Sequence, residues 1–522
     1  MRIARLLSLL VVTALASSAL VGCATPARTP IAATQSVATF DAAWEIVRDE
    51  HFDSELNGVD WNAVRAELRP KAAKARSVDE LRAVLSDMLA RLGQSHFTII
   101  PGEGRVEIVA DRAPTTAHAS SAAAASRSED DSGLDGAVAA ASGSAPGAVP
   151  AAEAPVEAGP GVSGIDIAIV EGAPMVLRVS PDLPGARSGV LVGWRLVSVN
   201  GMSADAVIEP IRHALSAERN PESPSARELR ARLATAGAAL LSGNAGDRLE
   251  MVFADASGAE RQVSLALAEA PFGSTKFGNL PPLPVEVDAR IVEIPVAGGR
   301  PVRIGVLAFN IWMTGASDAI DRAVDSMRSC DGIILDLRGN PGGMGAMSMG
   351  VAGHFLREPT SLGSMIGRDN TLEFKSIPRK VSADGKRVRP YATKPLAILV
   401  DARSASTSEV FAAGLQELGR ARVFGETSAG MALPAQARQL PNGDVLLHAV
   451  ADFVTPNGTR IEGRGVVPDE AVAASRAELA RGEDSALAAA TRWIERSTND
   501  TRAAKSLQPA SAMPVAMPAP HP

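Results

Sequence analysis

Between about residues 288 and 478, short and almost wholly apolar runs alternate with helix-like stretches. In order these are Ile304–Phe309, a helical stretch to Arg328, Gly332–Leu337, a helix to Leu356, Leu396–Val400, a helix to Leu418, and Arg422–Gly425. A strand that is apolar on both faces has to be covered on both faces. The pattern therefore predicts an α/β core over residues 285–480 with a largely buried sheet.

The most informative point of that core is the end of its third apolar run. Leu396–Val400 leads into Asp401-Ala402-Arg403-Ser404-Ala405-Ser406-Thr407-Ser408-Glu409, a small, hydroxyl-rich turn that opens a helix. A nucleophile is served by this placement, because a sharp strand-to-helix turn exposes Oγ and the helix N-terminus offers free N–H groups to a developing oxyanion. The same hydroxyls would also serve as a helix N-cap. Two further motifs flank it. Asp336-Leu337-Arg338-Gly339-Asn340-Pro341-Gly342-Gly343 has glycines that permit tight turns aiming backbone N–H groups into a site, and Ile461-Glu462-Gly463-Arg464-Gly465-Val466-Val467-Pro468-Asp469 follows near the end.

Upstream, apolar residues from Phe40, Trp44 and Val47 through Trp61, Val64 and Leu68 to Leu85, Met88 and Leu92 recur at three- and four-residue steps. That spacing predicts a helical segment within 37–111, with Trp44 and Trp61 as core anchors. Residues 112–160, rich in Ala, Ser, Gly and Pro, predict a disordered insert, and 503–522 a disordered tail of similar composition. Alternating apolar runs over 161–270 predict a β-rich domain. Its run Pro184-Gly185-Ala186-Arg187-Ser188-Gly189-Val190, followed by Gly193-Trp194-Arg195-Leu196 and the Asn200-Gly201 turn, resembles a PDZ domain, although Trp194 stands where Asp is usual. The resemblance implies binding of an extended peptide, with Gly164 and Ile165 in the carboxylate-binding turn. A plain glycine-rich domain entry is the alternative for that turn.

At the N-terminus, Arg2 and Arg5 precede an apolar run from Leu6 to Leu20 that is shorter than a membrane span requires. The run ends in Leu20-Val21-Gly22-Cys23, which resembles a bacterial lipobox. That implies a signal peptide over 1–22, lipidation of Cys23, a tether over 23–36, and a lipoprotein facing the periplasm; by resemblance Ala24 favours the outer membrane. Only Cys330 would then remain as a free thiol. A net charge of −7 without a basic cluster argues against nucleic acid. No zinc-ligand spacing and no phosphate loop is present, so no metal or cofactor is expected.

Taken together, the three core motifs, the helical segment and the PDZ-like insert resemble the C-terminal processing (tail-specific) serine peptidases, whose core is ClpP/crotonase-like. The better-known branch of that family places a lysine twenty-five residues after the serine, but here the position holds Met431, whose thioether cannot take a proton. His96, in Gln94-Ser95-His96-Phe97, resembles the Ser-His pair of the tricorn-type branch. The resemblance implies Ser406 as nucleophile, His96 as base, Glu462 as the carboxylate linked to it through Ser95, and an oxyanion hole from Gly339 and Thr407, with Gly342 or Gly343 as alternatives to Gly339. A peptide or protein substrate follows from it. The competing readings are that His96 caps a helix end, that Glu462 braces its turn, that Ser95 is a turn hydroxyl, and that the whole chain is a catalytically inactive ligand- or peptide-binding lipoprotein on the same fold.

Overall fold

The structure is a computed structural model that describes residues 29–102, 159–219, 224–276, 282–296 and 299–506. The signal peptide, Cys23, nearly all of the 112–160 insert and the tail beyond 506 lie outside the described residues.

At its centre is a six-stranded sheet with strands in the order 287–294, 302–309, 332–336, 396–400, 422–425 and 470–471. The first pair is antiparallel and the rest are parallel. Gly332–Asp336 and Leu396–Val400 are buried at every position, which explains why they read as unbroken apolar runs. The helices Thr314–Met327, Gly345–Ala352 and Thr407–Glu417 cover one face, around Trp312, Phe355, Phe411 and Phe453. The helix Ser485–Ser506 covers the other, setting Ala489, Ala490 and Ile494 against Val302, Ile304, Leu399 and Phe424. The core therefore extends past its expected end at 480, and helix continues beyond 503, where a tail was expected. Small alanines do the packing here, so the helix carries little apolar signal.

The N-terminal helices Ala33–Glu50, Trp61–Ala73 and Val78–Ala90 enclose Phe40, Trp44, Trp61, Leu68 and Leu85. Each tryptophan indole donates to the other's carbonyl, at 2.9 and 3.1 Å. Helix begins at Ala33, inside the expected 23–36 tether, because Ser36 is buried and satisfied: its Oγ donates to Ala72 O at 2.7 Å. A hydropathy pattern does not show a polar residue that is paid for by a hydrogen bond. The segment ends in a strand, Thr98–Ile100, which pairs antiparallel with Val445–Ala449 and sets Ile99 opposite Leu446. Arg82 fastens the same junction through Asp444 at 2.6 Å.

The β-rich unit orders its strands 165–170, 173–179, 195–199, 248–254 and 260–266, and adds helices Ala204–Ala217 and Pro224–Ala239. Its expected carboxylate turn is filled. The Ile165 N–H donates to Ser163 Oγ at 3.2 Å, and a Cβ on Gly164 would meet Leu183 Cβ at 2.4 Å. Ile165 is thereby removed as a carboxylate donor. Buried charges join this unit to the core: Asp166 to Arg403 at 2.6 Å, and Arg178 to Asp336 at 3.8 Å.

Candidate active site

Ser406 occupies the N-cap of helix Thr407–Glu417 with φ 54° and ψ −118°, a conformation that side-chain-bearing residues rarely adopt. The surrounding serines hold it there. Ser404 Oγ donates to Leu337 O at 2.8 Å, while Ser408 Oγ donates to Asn340 O and accepts from Trp312 Nε1 at 2.8 Å. Both are buried scaffold hydroxyls, and the Ser406 N–H donates to Met431 O at 2.9 Å. Met431 thus meets the nucleophile turn through its main chain.

His96 also has a positive φ, 62°, in the turn between the last N-terminal helix and the strand Thr98–Ile100. Ser95 and Glu462 converge on it. Glu462 Oε1 accepts from Ser95 N at 2.9 Å, Glu462 Oε2 accepts from Ser95 Oγ at 2.8 Å, and Ser95 Oγ lies 2.8 Å from His96 Nδ1. Because the hydroxyl proton goes to Glu462, Ser95 Oγ accepts from Nδ1–H. That assigns the tautomer and leaves the Nε2 lone pair bare. Glu462 is 8% exposed, and burial raises its carboxyl although hydrogen bonds from Ser95 and Ala432 oppose this. His96 keeps an edge toward solvent but is set deep in the fold, and desolvation lowers its imidazolium to about 4. Among the described residues the ring's hydrogen bonding runs to Ser95, with none to Ser406.

The Gly339 half of the expected oxyanion hole does not hold. Its N–H donates to Asp401 Oδ1 at 3.0 Å, so the donor is used and faces a fixed negative charge. Gly342 N–H is also taken, by Asn340 Oδ1 at 2.9 Å. Gly343 and Thr407 remain, linked by a 2.8 Å hydrogen bond from Thr407 Oγ1 to Gly343 O. A Cβ on Gly342 would lie 2.6 Å from Ser406 Cβ and 3.0 Å from Thr407 N, so glycine there keeps the turn open.

Asp401 and Arg403 belong to the site's support and were not singled out from sequence. Arg403 binds Asp401 at 2.8 Å and also donates to Ile167 O at 3.1 Å, carrying the β-rich unit to within three residues of Ser406. Arg227 of the β-rich unit donates to Gly93 O at 3.1 Å, beside the His96 turn. No spacing in the sequence marks these arginines. Among the described residues, no group of three or more His, Cys, Asp or Glu is arranged to hold a metal.

The chain has counterparts among known proteins. Residues 303–472 match the family described as Peptidase family S41, and residues 38–90 match the Tricorn protease C1 domain. Residues 303–472 thus carry the likeness to peptidase family S41. The chain is 31% identical over 172 residues to a carboxyl-terminal-processing protease of Picosynechococcus, covering 33% of this chain and 39% of that protein. It is 27% identical over 193 residues to the carboxy-terminal processing protease CtpA of Bacillus subtilis, covering 37% and 39%. The chain thus spans about two fifths of the length of these curated relatives. Its fold resembles that of mature CPAF, with a TM-score of 0.50 and 12% identity over 92% of this chain and 99% of that one.

Proposed function

We propose that this chain is a serine endopeptidase of the carboxyl-terminal-processing kind, acting through Ser406 with His96 as its base. The observation that carries this reading is the Glu462–Ser95–His96 string of hydrogen bonds. It ends on a bare imidazole nitrogen, in the same site as a serine held at positive φ on a helix N-terminus. Ser406 Oγ attacks the scissile carbonyl as its proton passes to His96 Nε2. The imidazolium is stabilised through Ser95 by Glu462, as a triad acid stabilises its histidine. The tetrahedral oxyanion takes hydrogen bonds from the Thr407 and Gly343 N–H groups, and its collapse hands the proton to the leaving amine. Water then releases the acyl group by the reverse sequence. With its pKa lowered, His96 stays neutral and ready to accept a proton throughout the ordinary pH range.

The β-rich unit is read as PDZ-like and the core as ClpP/crotonase-like. Cys23 is read as the lipid anchor that holds the chain at the cell envelope, facing the periplasm, where peptide or unfolded protein is the substrate. Labelling with a fluorophosphonate probe tests the chemistry. Wild type is expected to be acylated, Ser406→Ala not at all, and His96→Ala at least about 10²-fold more slowly. Unlabelled wild type would mean a binding protein on this fold, and undiminished labelling of His96→Ala would mean another base.

A further inference from the structure

One peptide group touches both halves of the site. The Met431 carbonyl accepts the Ser406 N–H at 2.9 Å, and the Ala432 N–H of the same peptide unit donates to Glu462 Oε2 at 2.9 Å. A trans peptide is planar, with its C=O and N–H pointing in opposite directions, so it acts as a rigid spacer between the two. The preceding amide fixes its orientation. Met431 N–H donates to Glu409 Oε2 at 2.9 Å, and that oxygen also receives the Ser406 N–H at 3.0 Å. Glu409 Oε1 receives Gly430 N–H at 2.7 Å and Ser428 Oγ at 2.5 Å. Four donors fill the acceptor capacity of one ionised carboxylate, which is wholly buried. The loop is fastened on its far side as well. Ser428 Oγ accepts Val466 N–H at 2.6 Å, and Gly463 N–H donates to Gly430 O at 2.9 Å, next to Glu462.

We propose that Glu409 and the Met431–Ala432 peptide form an alignment strap, in which Glu409 is a positioning residue that sets the nucleophile turn in register with the Glu462–Ser95–His96 string. The proposal rests on the peptidase reading of Ser406 and His96. It also accounts for methionine at 431: that position works through its main chain, so its side chain need carry no charge.

Three of the four donors are amide N–H groups, which cannot reverse to accept. A proton on Glu409 must therefore break a contact or turn Ser428 around. The groups facing the carboxylate are the Ser428 hydroxyl and the amides of Ser406, Gly430 and Met431. The titratable groups of the adjoining elements are Glu462, beyond the strap peptide, and His96, reached through Ser95. Burial raises Glu409 to about 7 against the hydrogen bonds that lower it, whereas His96 lies at about 4, so the two are separable in a pH profile.

The test compares wild type, Glu409→Gln and Ser428→Ala by two readouts. The first is the rate and half-saturation of fluorophosphonate acylation from pH about 4 to 9, a span that reaches both groups. The second is hydrogen exchange in peptides covering 428–432 and 94–97. Glu409→Gln is expected to acylate about 10- to 100-fold more slowly at neutral pH with unchanged half-saturation, and to lose the acid limb near 7. Ser428→Ala, missing one donor, is expected to slow about 3- to 10-fold. In both variants exchange should rise in both segments. Undiminished acylation with the limb intact, or a rise confined to 428–432, overturns the strap. Should Glu409→Gln fail to fold, Ser428→Ala carries the same decision. If wild type is not acylated at all, the peptidase reading falls, and the exchange pattern still decides the strap.

Discussion

At Gly342 a single methyl group would be in collision with the nucleophile turn, 2.6 Å from Ser406 Cβ, and φ is +101°, which penalises any side chain. Gly342→Ala is expected to lower acylation at least about 10²-fold, the scale of losing one oxyanion donor, while circular dichroism stays native. His96 makes a different prediction, about stability. The folded state holds its pKa at about 4 while an ordinary histidine lies at 6.5, so between these values the unfolded chain takes up a proton that the folded chain refuses. Stability should fall as pH drops from 6.5 to 4 and level off below, and His96→Gln should flatten that slope in urea midpoints measured across this range. Glu409 acts with the opposite sign. Raised from 4.5 to about 7, it favours the fold at low pH, and that contribution is lost as pH rises through this interval.

At the scale of elements, the junction between the strands Thr98–Ile100 and Val445–Ala449 carries His96 to the core. Asp444 is 1% exposed and accepts from Arg82 and from Gly102 N–H at 2.8 Å. Asp444→Ala leaves Arg82 without this partner and is expected to cost about 3 kcal/mol or more, read from denaturant midpoints, and to depress acylation by loosening the His96 turn. Gly332 is the equivalent point on the other face of the sheet. Gly332→Val would drive a side chain into Ile494, where even a Cβ lies 2.2 Å from Cγ2, and should destabilise by about 1–3 kcal/mol. The central strands were legible because Leu396–Val400 is apolar at every position, and the convergence of Ser95, His96 and Glu462 could be anticipated from motifs far apart in the chain. The helix over 485–506 and the start at Ala33 were not legible, since alanine and hydrogen-bonded serine pack without an apolar signal. Gly339 misled because a glycine's permitted turn does not reveal where its N–H points, and here Asp401 claims it.

Across the whole molecule, the β-rich unit and the core share a buried charge cluster that reaches the serine turn through Arg403. Burial alone would raise Asp166, but Arg403 and Arg178 outweigh it and hold the carboxyl below its ordinary value. Asp166→Ala leaves Arg403, whose side chain is 6% exposed, with Asp401 as its remaining carboxylate partner, and is expected to cost about 1–3 kcal/mol, lowering the thermal midpoint. The same arginine orients Asp401, so acylation by a probe should slow even at temperatures where the variant is folded. Ser95 and Glu462 are joined across 367 residues. Contacts so distant in sequence close late, because the chain entropy of the loop must be lost first. On the proposed function, a ribosome-bound chain that has already released Ser406 still lacks Glu462. On that reading cleaving power waits for the segment that carries Glu462, and a chain cut short before it is inert toward its neighbours.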